Sequence, residues 1–201
     1  MKKFNIALCL ALVFTITMSF ARFDALCQNV RDNVFRLHIR ANSDSEDDQA
    51  LKLKVRDAIL NAEGECFKEC VNLDEAINYA QNNIEEFKKI AEEVIKSNGY
   101  DYSVQISVGE SYFENREYDD FTLPAGVYQS LNIIIGKGAG KNWWCVMFPA
   151  VCLGASSDLE TALNEDSTNI VREKDKYVIK FKSVEIYEDL KNYFKRQKII
   201  K

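Results

Sequence analysis

At 201 residues the chain can bury one ordinary core, and 47% hydrophobic with 28% charged residues excludes a disordered chain. The formal charge is -5 overall and -12 over residues 22–171, which argues against nucleic acid as the main ligand. A single histidine among scattered cysteines makes no convincing zinc set, so neither a metal nor a cofactor is expected.

The first 21 residues stand apart. Lys2 and Lys3 precede an apolar run from Ile6 to Met18, and Ser19-Phe20-Ala21 places small residues at a cleavage position. This is the three-part pattern of a secretory signal, with cleavage expected after Ala21. The run is shorter than the roughly 20 residues of a membrane span; an uncleaved anchor is the alternative. Residues 22–33 then read as a short linker, 34–196 as a single globular domain and 197–201 as a basic tail. From Arg172 to Lys201 ten Lys/Arg face five Asp/Glu, which offers peripheral contact with an anionic membrane surface.

Val34 to Ala41 alternates as a half-buried strand, with Phe35, Leu37 and Ile39 on one face and Arg36, His38 and Arg40 on the other. Ser43 and Glu46 have the spacing of a capping box and open a helix with stripe Leu51, Val55, Ala58, Ile59 and Ala62, stopping at Gly64. Asn72, with Glu75 three residues on, caps a second, long helix with stripe Leu73, Ile77, Ala80, Ile84, Phe87, Ala91 and Val94. Asn98-Gly99 closes it. Tyr102 to Val108 alternates as another strand, and a polar, aromatic stretch leads to the turn Pro124-Ala125-Gly126.

The chain is organised around Leu123 to Cys152. Val127 to Ile135 is a period-2 strand, and Gly136, Gly138 and Gly140 punctuate a turn. A phosphate loop needs a helix immediately after its glycines; Trp143 to Phe148 is a strand instead, so the glycines read as a hairpin turn. Trp143 and Trp144 must point to opposite faces. Cys145 and Cys152 are close enough in sequence for a disulfide, although the odd number of cysteines past residue 21 leaves one thiol over in any scheme. Beyond Cys152, Gly154 to Asn169 is polar, Tyr177, Ile179 and Phe181 mark a last strand, and Tyr187, Leu190 and Phe194 space like a short helix. The order predicts an α+β fold: a mainly antiparallel sheet with two long helices packed on one face.

The segment from Phe35 to Asp57, FRLHIRANSDSEDDQALKLKVRD, resembles the first signature of the stage II sporulation protein R family. Pro124-Ala-Gly-Val-Tyr128, Gly136-Lys-Gly-Ala-Gly140, Asn142 to Pro149 and Cys152 resemble the second, with Ala150 standing where that family usually has a proline. The resemblance implies a signalling protein, not an enzyme. Such a protein is secreted from the forespore into the space between forespore and mother-cell membranes. There it activates a membrane-embedded aspartic protease that cleaves the pro-form of the early mother-cell sigma factor. A different class, an exported cell-wall enzyme with Cys145 as nucleophile and His38 as base, uses groups that are also present.

Ser43, Asp44, Arg56 and Asp57, with Asn42, are expected to be structural, as are Gly126, Gly136, Gly138 and Gly140. The partner-binding candidates are Asn142, Trp143, Trp144, Phe148 and Pro149, because an exposed large aromatic is the residue type enriched at binding hot spots. The face carrying Arg36, His38 and Arg40 is the second choice.

Overall fold

The computed structural model describes residues 2–118, 120–150 and 159–199. They fall into two compact units, over which the 34–196 stretch is distributed.

The larger unit, Asp32–Tyr112 with Val127–Leu163, is the α+β body. Its elements are β1 (Phe35–Arg40), α2 (Glu46–Glu69), α3 (Leu73–Asn82), α4 (Ile84–Ser97), β2 (Val104–Phe113), β5 (Gly126–Ile135), β6 (Asn142–Phe148) and the single turn α5 (Leu159–Ala162). The four strands lie in the order β2-β5-β1-β6. β1 is central: it runs antiparallel to β6, and parallel to β5 in an otherwise mainly antiparallel sheet. A parallel pair needs a long crossover, and α2 to β2 supply it.

The core forms between the helices and one sheet face. Phe35, Leu37, Ile39, Leu131, Ile133, Ile135, Cys145 and Met147 meet Leu51, Val55, Ile59 and Phe67 of α2, Ala76 and Ala80 of α3, and Phe87, Ala91 and Ile95 of α4. Helices packed on one sheet face are what the periodicities predict. Boundaries differ. Ser45, not Ser43, is the N-cap of α2, its Oγ accepting from the Asp48 N–H. Helix α2 runs through Gly64 to Glu69, because stopping there would leave Phe67 out of the core; an interior glycine costs only about 1 kcal/mol. Asn72 caps α3 as predicted, accepting from the Glu75 N–H at 2.9 Å while the Glu75 carboxylate accepts from the Val71 N–H. The second helix breaks at Asn83, whose N–H and side-chain amide both donate to the Tyr79 carbonyl. After the break Phe87 and Ala91 of the predicted stripe are buried, and Ile95 lies deeper than Val94, which is half-buried against the core.

The second unit comprises Met1–Arg31, Phe113–Gly126 and Asn164–Lys201. Its elements are α1 (Lys2–Arg31), the short strands β3 (Arg116–Glu117) and β4 (Thr122–Leu123), α6 (Glu165–Arg172) and α7 (Lys174–Ile199). Residues 22–31, expected as a linker, continue α1 and bury Phe23, Cys27, Val30 and Arg31. Arg31 Nη1 donates to the Ala125 carbonyl at 3.0 Å, and Nη2 pairs with Asp24 at 3.1 Å. A Cβ at Gly126 would meet Arg31 Cδ at 2.4 Å, and Gly126 has φ +145, so this turn requires glycine.

The strand expected at Tyr177 to Phe181 is instead part of α7. Alternation over three residues fits a helix equally well when Tyr177, Phe181 and Val184 fall on one helical face, and those three pack inward. The stretch 154–169, expected as a loop, contains α5 and the start of α6; its first residues lie outside the described ones.

Candidate partner-binding site

The β1–α2 connection and the glycine turn are built into each other. Asn42 Oδ1 accepts from the Lys137 N–H at 3.1 Å, and Asp44 Oδ1 from the Lys141 N–H at 2.6 Å. The N–H groups of Ala139 and Gly140 donate to the carbonyls of Asn42 and Ala41. From α2, Lys52 Nζ donates to the Lys141 carbonyl at 2.9 Å. A Cβ at Gly140 would lie 2.1 Å from the Ser43 carbonyl oxygen, and one at Gly136 would lie 2.4 Å from Asn42 Oδ1. Gly136 and Gly138 also hold φ near +60. Close approach and left-handed backbone together explain the glycines, and β6 follows them where a phosphate loop would have a helix.

Asp48 anchors this junction. It is buried and accepts from Ser43 Oγ at 2.5 Å and Asn42 Nδ2 at 2.9 Å. Burial alone would raise its pKa; the bonds from Ser43, Asn42, Tyr102 and Ser45 outweigh that and hold the carboxyl below its ordinary range. The sequence named Asn42 and Ser43 as structural without showing that Asp48 is the group they serve; Asp44 instead holds the Lys141 N–H.

On the helix side of the sheet, Trp143 packs against the core and the Arg56 guanidinium lies 4.4 Å from its ring centroid. Asp57 Oδ1 in turn accepts from Arg56 Nε at 2.7 Å. Arg56 and Asp57 thus cover a tryptophan.

The other sheet face has two ends. At one end Arg36, Tyr128, Ser130 and Val146 are buried. Arg36 Nε donates to the Cys145 carbonyl at 3.2 Å, and its guanidinium lies over the Tyr128 ring. At the other end His38, Arg40, Asn132, Ile134 and Trp144 are half-buried and Asn142 is exposed. Across the strands here, His38 stands opposite Asn132 on β5 and Trp144 on β6. Ser111 Oγ donates to Asn132 Oδ1 at 3.0 Å. His38 Nδ1 lies 3.2 Å from that oxygen and Nε2 2.8 Å from Asn142 Oδ1. The indole of Trp144 stacks on the imidazole at 4.1 Å between centroids. Burial lowers the His38 pKa, the two asparagines oppose that, and Arg40 and Arg36 add to the lowering. The result is a half-exposed surface of an indole, an imidazole, carboxamides, Ile134 and the Arg40 guanidinium, suited to docking a partner.

Of the five predicted contact residues, Asn142 and Trp144 belong to this surface. Trp143 faces the helices. Phe148 and Pro149 are buried, because β6 ends inside the body, and they leave the candidate site. His38, Asn132 and Ser111 join it; period 2 placed His38 and Asn132 on polar faces, but only the register brings them together. Cys145 is disulfide-bonded and packs in the core, while Cys9, Cys27, Cys66 and Cys70 are free. Its expected partner, Cys152, lies outside the described residues. Among the described residues no group of three or more His, Cys, Asp or Glu could hold a metal ion.

The fold and this surface define a small α+β module headed by an apolar helix that fits a signal peptide. The chain belongs to the stage II sporulation protein R family: the family model of that description matches residues 31–158. It is 32% identical over 150 residues to the stage II sporulation protein R of Bacillus subtilis (strain 168), a match covering 75% of this chain and 67% of that protein. No solved structure matches it. The family is one of sporulation signalling proteins.

Proposed function

We propose that this chain is secreted from the forespore into the space between the two membranes of the developing spore. There it activates the mother cell's membrane-embedded aspartic protease by docking on its extracytoplasmic part. The protease then cleaves the pro-form of the early mother-cell sigma factor. The observation that carries the reading is the span of the family match, which takes in both signature segments and so the whole β1–β5–β6 sheet with its half-exposed end. The N-terminal helix, apolar from Ile6 to Met18, suits export. On this reading Trp144, Asn142, His38 and Asn132 contact the protease, and the chain supplies binding energy, not catalysis.

The test is co-expression with the candidate protease and its pro-sigma substrate in a non-sporulating host. Processing is expected with the wild-type chain and not with Trp144→Ala at equal exported abundance. Unchanged processing with Trp144→Ala would move the docking surface elsewhere; no processing with the wild type would remove the activity.

A further inference from the structure

Among the described residues, every large hydrophobic side chain that is exposed lies on α1 or α7, apart from Val71. On α1 they run from Phe4 to Met18 on all sides of the helix, the pattern of a segment made for lipid. On α7 the pattern is different. Phe181, Val184 and Glu188 face inward and are buried. Ile179, Ile186, Leu190 and Phe194, spaced i, i+7, i+11 and i+15, form a second apolar stripe on the opposite side of the same helix. They are 82%, 54%, 53% and 60% exposed.

A helix with two apolar stripes has two partners, and its own unit supplies only one. We propose that the outer stripe of α7 lies on the surface of an anionic phospholipid bilayer. Three features favour that occupant. First, α7 meets α1 where the exposed apolar run of α1 ends: Phe20 is edge-on to Tyr187 at 5.7 Å, and Phe23 contacts Phe181 at 5.2 Å. With the signal uncleaved and α1 kept in the bilayer as an anchor, the middle of α7 sits at the headgroup level. Second, α7 carries eight Lys/Arg against four Asp/Glu, the sign that anionic headgroups attract. Third, lysines border the stripe, Lys182 on one side and Lys180 on the other. Long cationic side chains in those positions can lay their stems on apolar surface and extend their charges to phosphates. The inference concerns membrane contact and does not depend on which surface meets the protease.

The test uses the full chain in vesicles of phosphatidylglycerol and phosphatidylcholine. Hydrogen exchange of the amides in 178–195 should slow at least several-fold relative to vesicles of phosphatidylcholine alone. In Ile186→Trp, an exposed position where folding is not at stake, brominated acyl chains should quench the added fluorescence by about half or more. In Ile179→Asp/Leu190→Asp the slowing should vanish while α1 still holds the protein on the vesicles. Equal exchange in both lipid mixtures, or an unquenched indole, overturns the proposal. So does protection that rises with protein concentration in the absence of lipid, which would assign the stripe to a second copy.

Discussion

His38 and Cys145 stand on opposite faces of one pair of strands. Cys145 is the register partner of Leu37 and points with it into the core, whereas His38 is the partner of Trp144 and points away. A nucleophile and its base must come within hydrogen-bond reach, and a sheet separates these two. The cell-wall enzyme reading required them together and loses its geometry here. Cys145 is moreover disulfide-bonded, so it is no free thiolate.

That difference is measurable by alkylation. Native, unreduced protein treated with iodoacetamide should carry label on Cys66 and Cys70, which are free and half-buried. Labelling at Cys70 should be slow, since burial raises its thiol pKa, with Glu75 adding to the rise. Peptide mapping should find none on Cys145. Label on Cys145 without prior reduction would restore a reactive thiol there and reopen the enzymatic reading.

The two tryptophans should separate by mechanism. Trp143→Ala removes a half-buried ring from the helix side and should destabilise by about 2 kcal/mol, less than the 3–5 typical of a fully buried aromatic. Arg56→Ala uncovers that ring and should cost about 0.5–1 kcal/mol. Trp144→Ala should leave the urea midpoint close to wild type while weakening protease binding by at least about 2 kcal/mol. Equal binding losses for both tryptophans at equal stability would mean the docking surface is not confined to the His38 face.

The alternation of Phe35 to Arg40 and of Val127 to Ile135 was enough to place the sheet, and the stripes of α2 to α4 to place the helices, because a two-layer body buries one face of each element. What could not be read was register. No local signal says that β1 runs beside β5, so the Ser111–Asn132–His38–Trp144 line is invisible until the sheet is assembled. Gly64 misled for the same reason, since Phe67 keeps that helix going through a tertiary contact, and the long stripe from Leu73 to Val94 carries no mark of the break at Asn83. On α7 the two stripes defeat a periodicity reading, since apolar residues on opposite helix faces mimic neither one amphipathic helix nor one strand for long.

The environment of His38 makes stability pH-dependent with a definite sign. Its folded pKa is below the ordinary imidazole value of 6.5. The unfolded chain therefore binds the proton more readily, and the His38 contribution is complete above about pH 6.5 and lost as pH falls through that value toward the folded pKa. His38→Gln keeps a polar side chain without the titration. Wild type should lose more stability than His38→Gln between pH 7.5 and 5.5 in urea unfolding. Parallel losses would show that burial does not lower the pKa of this imidazole in the folded chain.

The glycine turn should be the least forgiving part of the second signature. At Gly140 an added Cβ would lie 2.1 Å from the Ser43 carbonyl oxygen, and the obstacle is backbone, which has no rotamer with which to move aside. The whole β1–α2 connection would have to shift, and it is fixed there by Asn42, Asp44 and Lys52. Overpacking of this kind costs typically 1–3 kcal/mol, so Gly140→Ala should lower the unfolding free energy by about 3. Gly136→Ala combines a close contact to Asn42 with a φ of +57 and should lie in the same range. Gly109 is the control: it sits in β2 with nothing within 4 Å of the added Cβ and no positive φ. Gly109→Ala should be neutral or slightly stabilising, by a few tenths of a kcal/mol to about 1, since it restricts the unfolded chain without strain. Chemical denaturation of the three variants decides the matter. Should Gly140→Ala and Gly109→Ala behave alike, the turn is not locked to the β1–α2 connection, and its glycines serve something other than folding.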